Sequence, residues 1–373
     1  MRPVRLVTWV MALVLAGAVF GCGTAGSQGG PALELVSRST AMLPPSAQTI
    51  MTSSGQLIAS IVMQLAPDGS GWLQDDVALY RVTDGGKTWT KVRSARRGFF
   101  RLFSPGVLRV GNLLTTDAGR TWRPVAPMPS GTLSDSELSA RLWYAYVRVS
   151  RPLFSHGVLY RTTDAGGYWA RVAADLPTSS GYPVISFADT DHGVLVLQAV
   201  RGNVPIGVPR VYVTRDAGGT WRRVSLPGVR DNETTAVVDL YPGGAGTLDV
   251  VLPAHGLQYS MLTVYRSTDY GATWTRGQSI SVSCGVCEQL VSGDIQVTDQ
   301  YDAPNYVTDN AGRTWQSLPG RLDGLLAQGP VYFLGPSEAI AYAITSENPP
   351  DVTLSVTNDG GYGWSSPRAV TVQ

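Results

Sequence analysis

Seven segments of the chain place an acid, or its amide, two residues ahead of a glycine and five ahead of a tryptophan. They are Asp84, Gly86 and Trp89; Asp117, Gly119 and Trp122; Asp164, Gly166 and Trp169; Asp216, Gly218 and Trp221; Asp269, Gly271 and Trp274; Asn310, Gly312 and Trp315; and Asp359, Gly361 and Trp364. A carboxylate in such a short polar segment accepts hydrogen bonds from the backbone N–H groups just ahead of it, and the glycine takes the positive φ of a tight turn. The tryptophan opens the next strand and offers a large apolar face for burial. These residues therefore read as a turn scaffold that satisfies local backbone groups, and no catalytic, cofactor or metal role is expected of them.

Other reactive residue types fall short of a site. Gly85-Gly86-Lys87-Thr88 ends like a phosphate-binding loop, but Arg81 stands where the first glycine is required. Asp189-Thr190-Asp191-His192-Gly193 begins like a calcium loop yet lacks the third acid and the distal glutamate, and it reads as a surface turn. His156, His192 and His255 are the only histidines, and none has a two-histidine metal spacing. Arg93, Arg96, Arg97 and Arg101 read as a solvated strand face, with an acidic partner as the alternative.

The elements that hold the repeated turns are short strands. The tryptophans recur at intervals of 33 to 53 residues, about 46 on average, which suits a unit of four strands. Val77–Val82, Val158–Thr162, Arg210–Thr214 and Thr263–Ser267 precede turns as apolar runs, and Val184–Gln198 reads as two strands around a polar turn. One such hairpin is marginal alone, whereas seven stacked radially cover each other's faces. The expected fold is all-β: a seven-bladed β-propeller of four-stranded antiparallel blades over residues 52–373. Residues 22–51 are left as a flexible tether and lead-in, in which Ala32–Val36 could add an edge strand.

The Asp-x-Gly-x-Thr-Trp core resembles the Asp-box, or BNR, repeat of sialidases, sortilin-type receptors and the photosystem II assembly and stability factor family. Its pairing with upstream runs such as Ala66–Leu73 and Phe187–Leu197 is most similar to the last of these. The resemblance implies Asp-box hairpins remote from chemistry and a non-enzymatic, monomeric binding or assembly scaffold that presents loops to a protein or glycan partner. The alternative it implies is a sialidase-like glycoside hydrolase, which needs an arginine cluster, a tyrosine paired with glutamate and an acidic proton carrier. That family's early Arg-Ile-Pro signature is absent. Val82, Tyr168, Asn310 and Gly363 depart from the repeat, and the sixth and seventh turns read as the weaker ones.

The amino terminus addresses the chain out of the cytoplasm. Arg2 and Arg5 precede an apolar stretch, Leu6–Phe20, too short to span a membrane, and Gly21-Cys22 follows. Residues 1–21 resemble a bacterial lipoprotein signal, which implies acylation of Cys22 and a lipid anchor at the outer face of the membrane. In an oxidising compartment Cys284 and Cys287 are then an even pair and read as a local disulfide. Cleavage before Cys22 removes Arg2 and Arg5 and no acid, taking the formal charge from +1 to −1. Bulk attraction to nucleic acid or anionic lipid is not indicated.

Overall fold

The computed structural model describes residues 46–51, 57–66, 68–74, 78–94, 100–150, 155–181, 183–201, 204–229, 239–242, 246–255, 260–282, 285–289, 295–299, 306–308, 310–317, 331–333, 337–344, 352–359 and 363–373. Among the described residues there is no helix, and the strands form seven sheets that follow one another along the chain. The third is representative: Thr132–Glu137, Trp143–Ser150, Ser155–Thr162 and Ala170–Leu176 pair antiparallel in chain order. The fourth repeats it with Pro183–Phe187, Gly193–Arg201, Val204–Thr214 and Arg222–Val224. Trp89, Trp122, Trp169, Trp221, Trp274, Trp315 and Trp364 each lie at or just before the last of these strands in their sheet.

First strands of successive sheets lie side by side, as Thr132–Glu137, Pro183–Phe187 and Asp239–Pro242 do. Side chains stitch them together: Ser134 and Ser136 accept the N–H groups of Ile185 and Phe187 at 3.0 and 2.9 Å, and Gln64 Oε1 accepts that of Leu102 at 2.6 Å. Between the sheets run apolar seams. Tyr144, Tyr146 and Leu159 of the third sheet meet Ile185, Phe187 and Leu195 of the fourth, with Tyr144 stacked on Phe187 at 3.6 Å. Val194, Val196 and Val213 of the fourth then meet Leu248, Val250 and Tyr265 of the fifth. This radial packing, with first strands innermost, is a β-propeller arrangement.

Both ends of the described chain belong to the first sheet. Thr371–Val372 lies parallel to Thr88–Ser94, the outer strand of that sheet, although the residues just before it, Arg368–Ala369, complete the seventh. Gln373 is tied twice, its N–H to Trp89 O at 2.9 Å and its carbonyl to the Lys91 N–H at 2.8 Å. At the inner edge, Ser46–Met51 pairs antiparallel with Leu57–Leu65. Those residues fall in the stretch expected as tether and lead-in, so the first sheet begins ahead of the boundary at 52. Ala32–Val36 lies outside the described residues.

Candidate functional site

Six of the seven hairpins are organised around a hydroxyl two residues before the acid or its amide. In the fourth, Thr214 Oγ1 donates to Asp216 Oδ1 at 2.8 Å and accepts the N–H groups of Asp216 and Gly218 at 3.4 and 2.9 Å. Asp216 in turn accepts the N–H and hydroxyl of Thr220 at 2.8 and 2.7 Å. The same set recurs at Thr115, Asp117 and Thr121 and at Ser267, Asp269 and Thr273. Asn310 keeps the pattern, its Oδ1 accepting the Thr314 N–H at 2.9 Å and its Nδ2 donating to the Thr314 hydroxyl at 2.7 Å. Tyr168 and Gly363 supply only a backbone N–H to Asp164 and Asp359. The residue after the acid is left-handed at Ala118, Ala165, Ala217, Tyr270 and Ala311.

The first hairpin differs. Val82 provides no hydroxyl, and Asp84 itself takes φ +56° in a four-residue turn closed by Gly86 N–H to Thr83 O at 3.1 Å. The Asp84 carboxylate thus stands outside the network that its counterparts share. Gly361, Cys22 and Cys284 lie outside the described residues, as does the environment of the Cys287 side chain.

The tryptophans close the seams. Trp122 meets Trp72 edge-on at 6.2 Å, and Trp221 meets Phe187 edge-on at 6.0 Å. Trp169 tilts against Trp143, and Trp274 and Trp315 pack into the two seams that follow. Gly119 sits so close to Trp72 that a Cβ there would come within 2.7 Å of its ring.

The hydroxyl of Thr121, then its N–H, holds the Asp117 carboxyl at about 2, and Thr273 does the same for Asp269. Below the range of an unfolded aspartate these groups still carry charge in the folded state, so their contribution is complete above about pH 4 and lost as pH falls toward 2. Glu137 works the other way, because burial pushes its carboxyl up to about 7 against the pull of Arg109. Its folded form holds a proton that the unfolded chain releases, so stability declines as pH rises from about 4 to 7. Thermal midpoints are therefore expected to peak near about pH 5, with Asp117→Asn softening the acid limb and Glu137→Gln flattening the neutral one.

Glu137 belongs to a charged group that the sequence reading missed. It ends the first strand of the third sheet, paired with Trp143, the slot that holds Leu65, Phe187 and Phe333 in other sheets. That exchange of an apolar residue for an acid was the available signal. Arg109 reaches Glu137 Oε1 while lying over the Trp143 ring at 4.6 Å, and Arg101 Nη2 donates to the Glu137 carbonyl at 3.3 Å. Asp135 lies two residues back on the same strand, its carboxyl also pushed up by burial against both arginines. Arg101, expected on a solvated face, is thus a buried seam residue. Arg93 lies over Trp122 at 5.2 Å, and Arg96 and Arg97 are outside the described residues.

A second buried ion pair joins Asp249 and Arg266 across the fifth sheet through two 2.7 Å hydrogen bonds. In the surface turn at 189–193, Asp189 accepts the N–H groups of Asp191 and His192 at 2.8 Å, and the His192 ring stacks on Tyr270 at 3.7 Å. Among the described residues no three His, Cys, Asp or Glu side chains form a metal-sized cluster.

No family model matches the chain. Among curated proteins it is 26% identical over 251 residues to a probable oligoxyloglucan-reducing end-specific xyloglucanase of Neosartorya fischeri, covering 56% of this chain and 28% of that one. It is 28% identical over 198 residues to the oligoxyloglucan-reducing end-specific xyloglucanase of Emericella nidulans, covering 50% and 22%. The chain thus spans under a third of the length of these relatives. Similar solved structures include YCF48 from Cyanidioschyzon merolae, at 12% identity and TM-score 0.43 over 86% of this chain and 96% of that one. YCF48 bound to a D1 peptide aligns at 15% identity and TM-score 0.40 over 85% and 86%. The Hadza microbial sialidase Hz136 aligns at 14% identity and TM-score 0.36 over 82% and 67%.

Proposed function

We propose that the seven sheets are the blades of one closed Asp-box propeller, exported and acylated at Cys22, that binds or helps assemble a protein or glycan at the outer face of the membrane. The observation that carries this reading is the use made of the repeated acids. Asp117, Asp164, Asp216, Asp269 and Asp359 are each engaged by the hydroxyl and N–H groups of their own turn. They build hairpins and are not available to a substrate. Rigid sheets then carry loops on the side opposite the hairpins, and recognition falls to those loops. The segment around Thr178 shows how firmly one is held: Arg210 donates to Thr178 O at 2.7 Å, Arg148 donates to Gly181 O, and Tyr146 donates to Pro177 O at 2.7 Å.

Affinity capture of the full chain from crosslinked membranes tests the binding reading, with one stoichiometric partner as the expected result. For the anchor, Cys22→Ala is expected to abolish incorporation of a labelled fatty acid and to shift the chain from the membrane to the soluble fraction. Unchanged labelling would remove the anchor from the reading.

Glycoside hydrolysis is the second reading, favoured by the two xyloglucanase relatives. Their names move the substrate to consider from sialic acid toward xyloglucan oligosaccharides. Sustained release of sugar from a fluorogenic sialoside or a xyloglucan oligosaccharide by the purified chain would replace the scaffold reading.

A further inference from the structure

The seam between the third and fourth sheets ends, on the side away from the hairpins, in two positive charges without a counter-charge. Tyr144, Tyr146 and Arg148 alternate along one strand toward the fourth sheet, and Tyr212 and Arg210 point back from it, so two half-buried guanidinium groups follow the aromatic rings. Both reach the same residue: Arg148 Nε donates to the Thr178 hydroxyl at 3.3 Å, and Arg210 Nη2 donates to the Thr178 carbonyl at 2.7 Å. Arg148 Nη2 also donates to Gly181 O, and most N–H groups of the two forks stay unused. Neither arginine is in an ion pair with a described residue. The described acids of these two sheets lie elsewhere. Asp164, Asp189, Asp191 and Asp216 occupy turns at the opposite ends of the strands, about 13–17 Å along the sheet. Asp135 and Glu137 face Arg101 and Arg109 of the second sheet, and Asp175 sits 4.0 Å from the His156 ring. Burial raises the Tyr146 hydroxyl; Thr178, Arg148 and Arg210 pull against that, and no carboxylate is among them.

We propose that Arg148 and Arg210 form a binding site for a tetrahedral dianion, the phosphate or sulfate group of a ligand. Two like charges held against one residue repel, and half-burial removes much of the water that would shield them. A dianion cancels both charges where a carboxylate cancels one, and each guanidinium fork matches a pair of phosphate or sulfate oxygens. The loop at 177–181 is already fixed by its bonds to Tyr146, Arg148 and Arg210, so binding orders little that is not ordered beforehand. Such a site gives the loop-side recognition proposed above its ligand class and rests on that reading, but its test needs neither membrane nor partner, so the two can fail separately. The competing role for these arginines is to brace the loop alone, which predicts lower stability on their removal and no response to anions.

Titration calorimetry of the full chain carrying Cys22→Ala, with sodium sulfate, glycerol phosphate and acetate at matched ionic strength, measures the site directly. Sulfate and glycerol phosphate are expected to bind once per chain at pH 7.5, and acetate at least about tenfold more weakly. Lowering the pH to 5 turns most of the phosphate ester, whose second proton leaves near about pH 6, into a monoanion and is expected to weaken it about tenfold while sulfate is unchanged. Arg148→Gln and Arg210→Gln are each expected to weaken sulfate by about tenfold or more, whereas Arg171→Gln, on an exposed outer strand of the third sheet, leaves it unaltered. Should a glutamine variant fail to fold, Arg148→Lys and Arg210→Lys keep the charge, give up the fork and are expected to bind several-fold more weakly than the parent. Acetate binding as tightly as sulfate, or undiminished sulfate binding by the folded variants, would overturn the proposal. Absence of binding by the parent, with the glutamine variants losing only denaturation midpoint, would overturn it in favour of the brace.

Discussion

Gly218→Ala is expected to lower folding stability by about 3 kcal/mol or more, the largest effect of any single methyl group added to the hairpins. Two independent costs meet there. The residue takes φ +89°, a conformation closed to side chains with a Cβ, and the added carbon would fall 2.2 Å from Leu159 Cδ2 in the neighbouring sheet. Leu159 is fully buried among Tyr144, Ile185 and Phe187 and has nowhere to move. Gly85→Ala in the first hairpin is the matched control, since φ is +61° but nothing lies within 4 Å, so only the backbone cost of about 1–2 kcal/mol applies. Thr214→Val adds a different test of the same turn by leaving the buried Gly218 N–H without its acceptor, at about 1–3 kcal/mol. Chemical denaturation with fluorescence of the tryptophans measures all three. Equal losses for Gly218→Ala and Gly85→Ala would show that the hairpin glycines do not set the spacing between sheets.

The hairpins were legible because their chemistry is contiguous: acid, glycine and tryptophan lie within six positions, and the turn they form is dictated by sterics and local hydrogen bonds. Reading the acid as the centre of the turn was incomplete. The hydroxyl two positions earlier accepts the glycine N–H as well as orienting the acid, which is why Val82 changes the first turn's geometry while Asn310 leaves the sixth intact. Contacts between sheets were not legible. Arg109 and Glu137 are separated by 28 positions, and Ser134 and Ile185 by 51, at repeat lengths that vary too much to align by spacing. The pairing of the last strand was equally hidden, because Thr371–Val372 is two residues long and its place is set by an edge on the first sheet. Ser46–Met51 falls in the expected tether and lead-in, and it takes strand conformation by pairing with the edge of Leu57–Leu65.

Arg266→Met is expected to cost about 3–5 kcal/mol at neutral pH, because it strands a charge inside the fifth sheet. The Asp249 side chain is 0% exposed, and Arg266, 18% exposed and directly opposite it in register, supplies both of its strong hydrogen bonds. Burial already pushes the Asp249 carboxyl above the usual aspartate range, with Arg266 pulling against it. Without the arginine the acid takes up a proton on folding, so the deficit should shrink as pH falls toward the unfolded aspartate value of about 4. The fourth sheet shows what the site requires, for the matching pair there is Val194 opposite Val213, both buried. Asp249→Val/Arg266→Val is therefore expected to recover most of the stability lost in the single variant, since two apolar side chains remove the desolvation penalty along with the charges. Urea denaturation of the single and double variants at pH 7 and pH 5 measures the coupling. If the double variant remains as unstable as Arg266→Met, the ion pair is a packing requirement of the seam between the fifth and sixth sheets rather than a replaceable cross-strand contact.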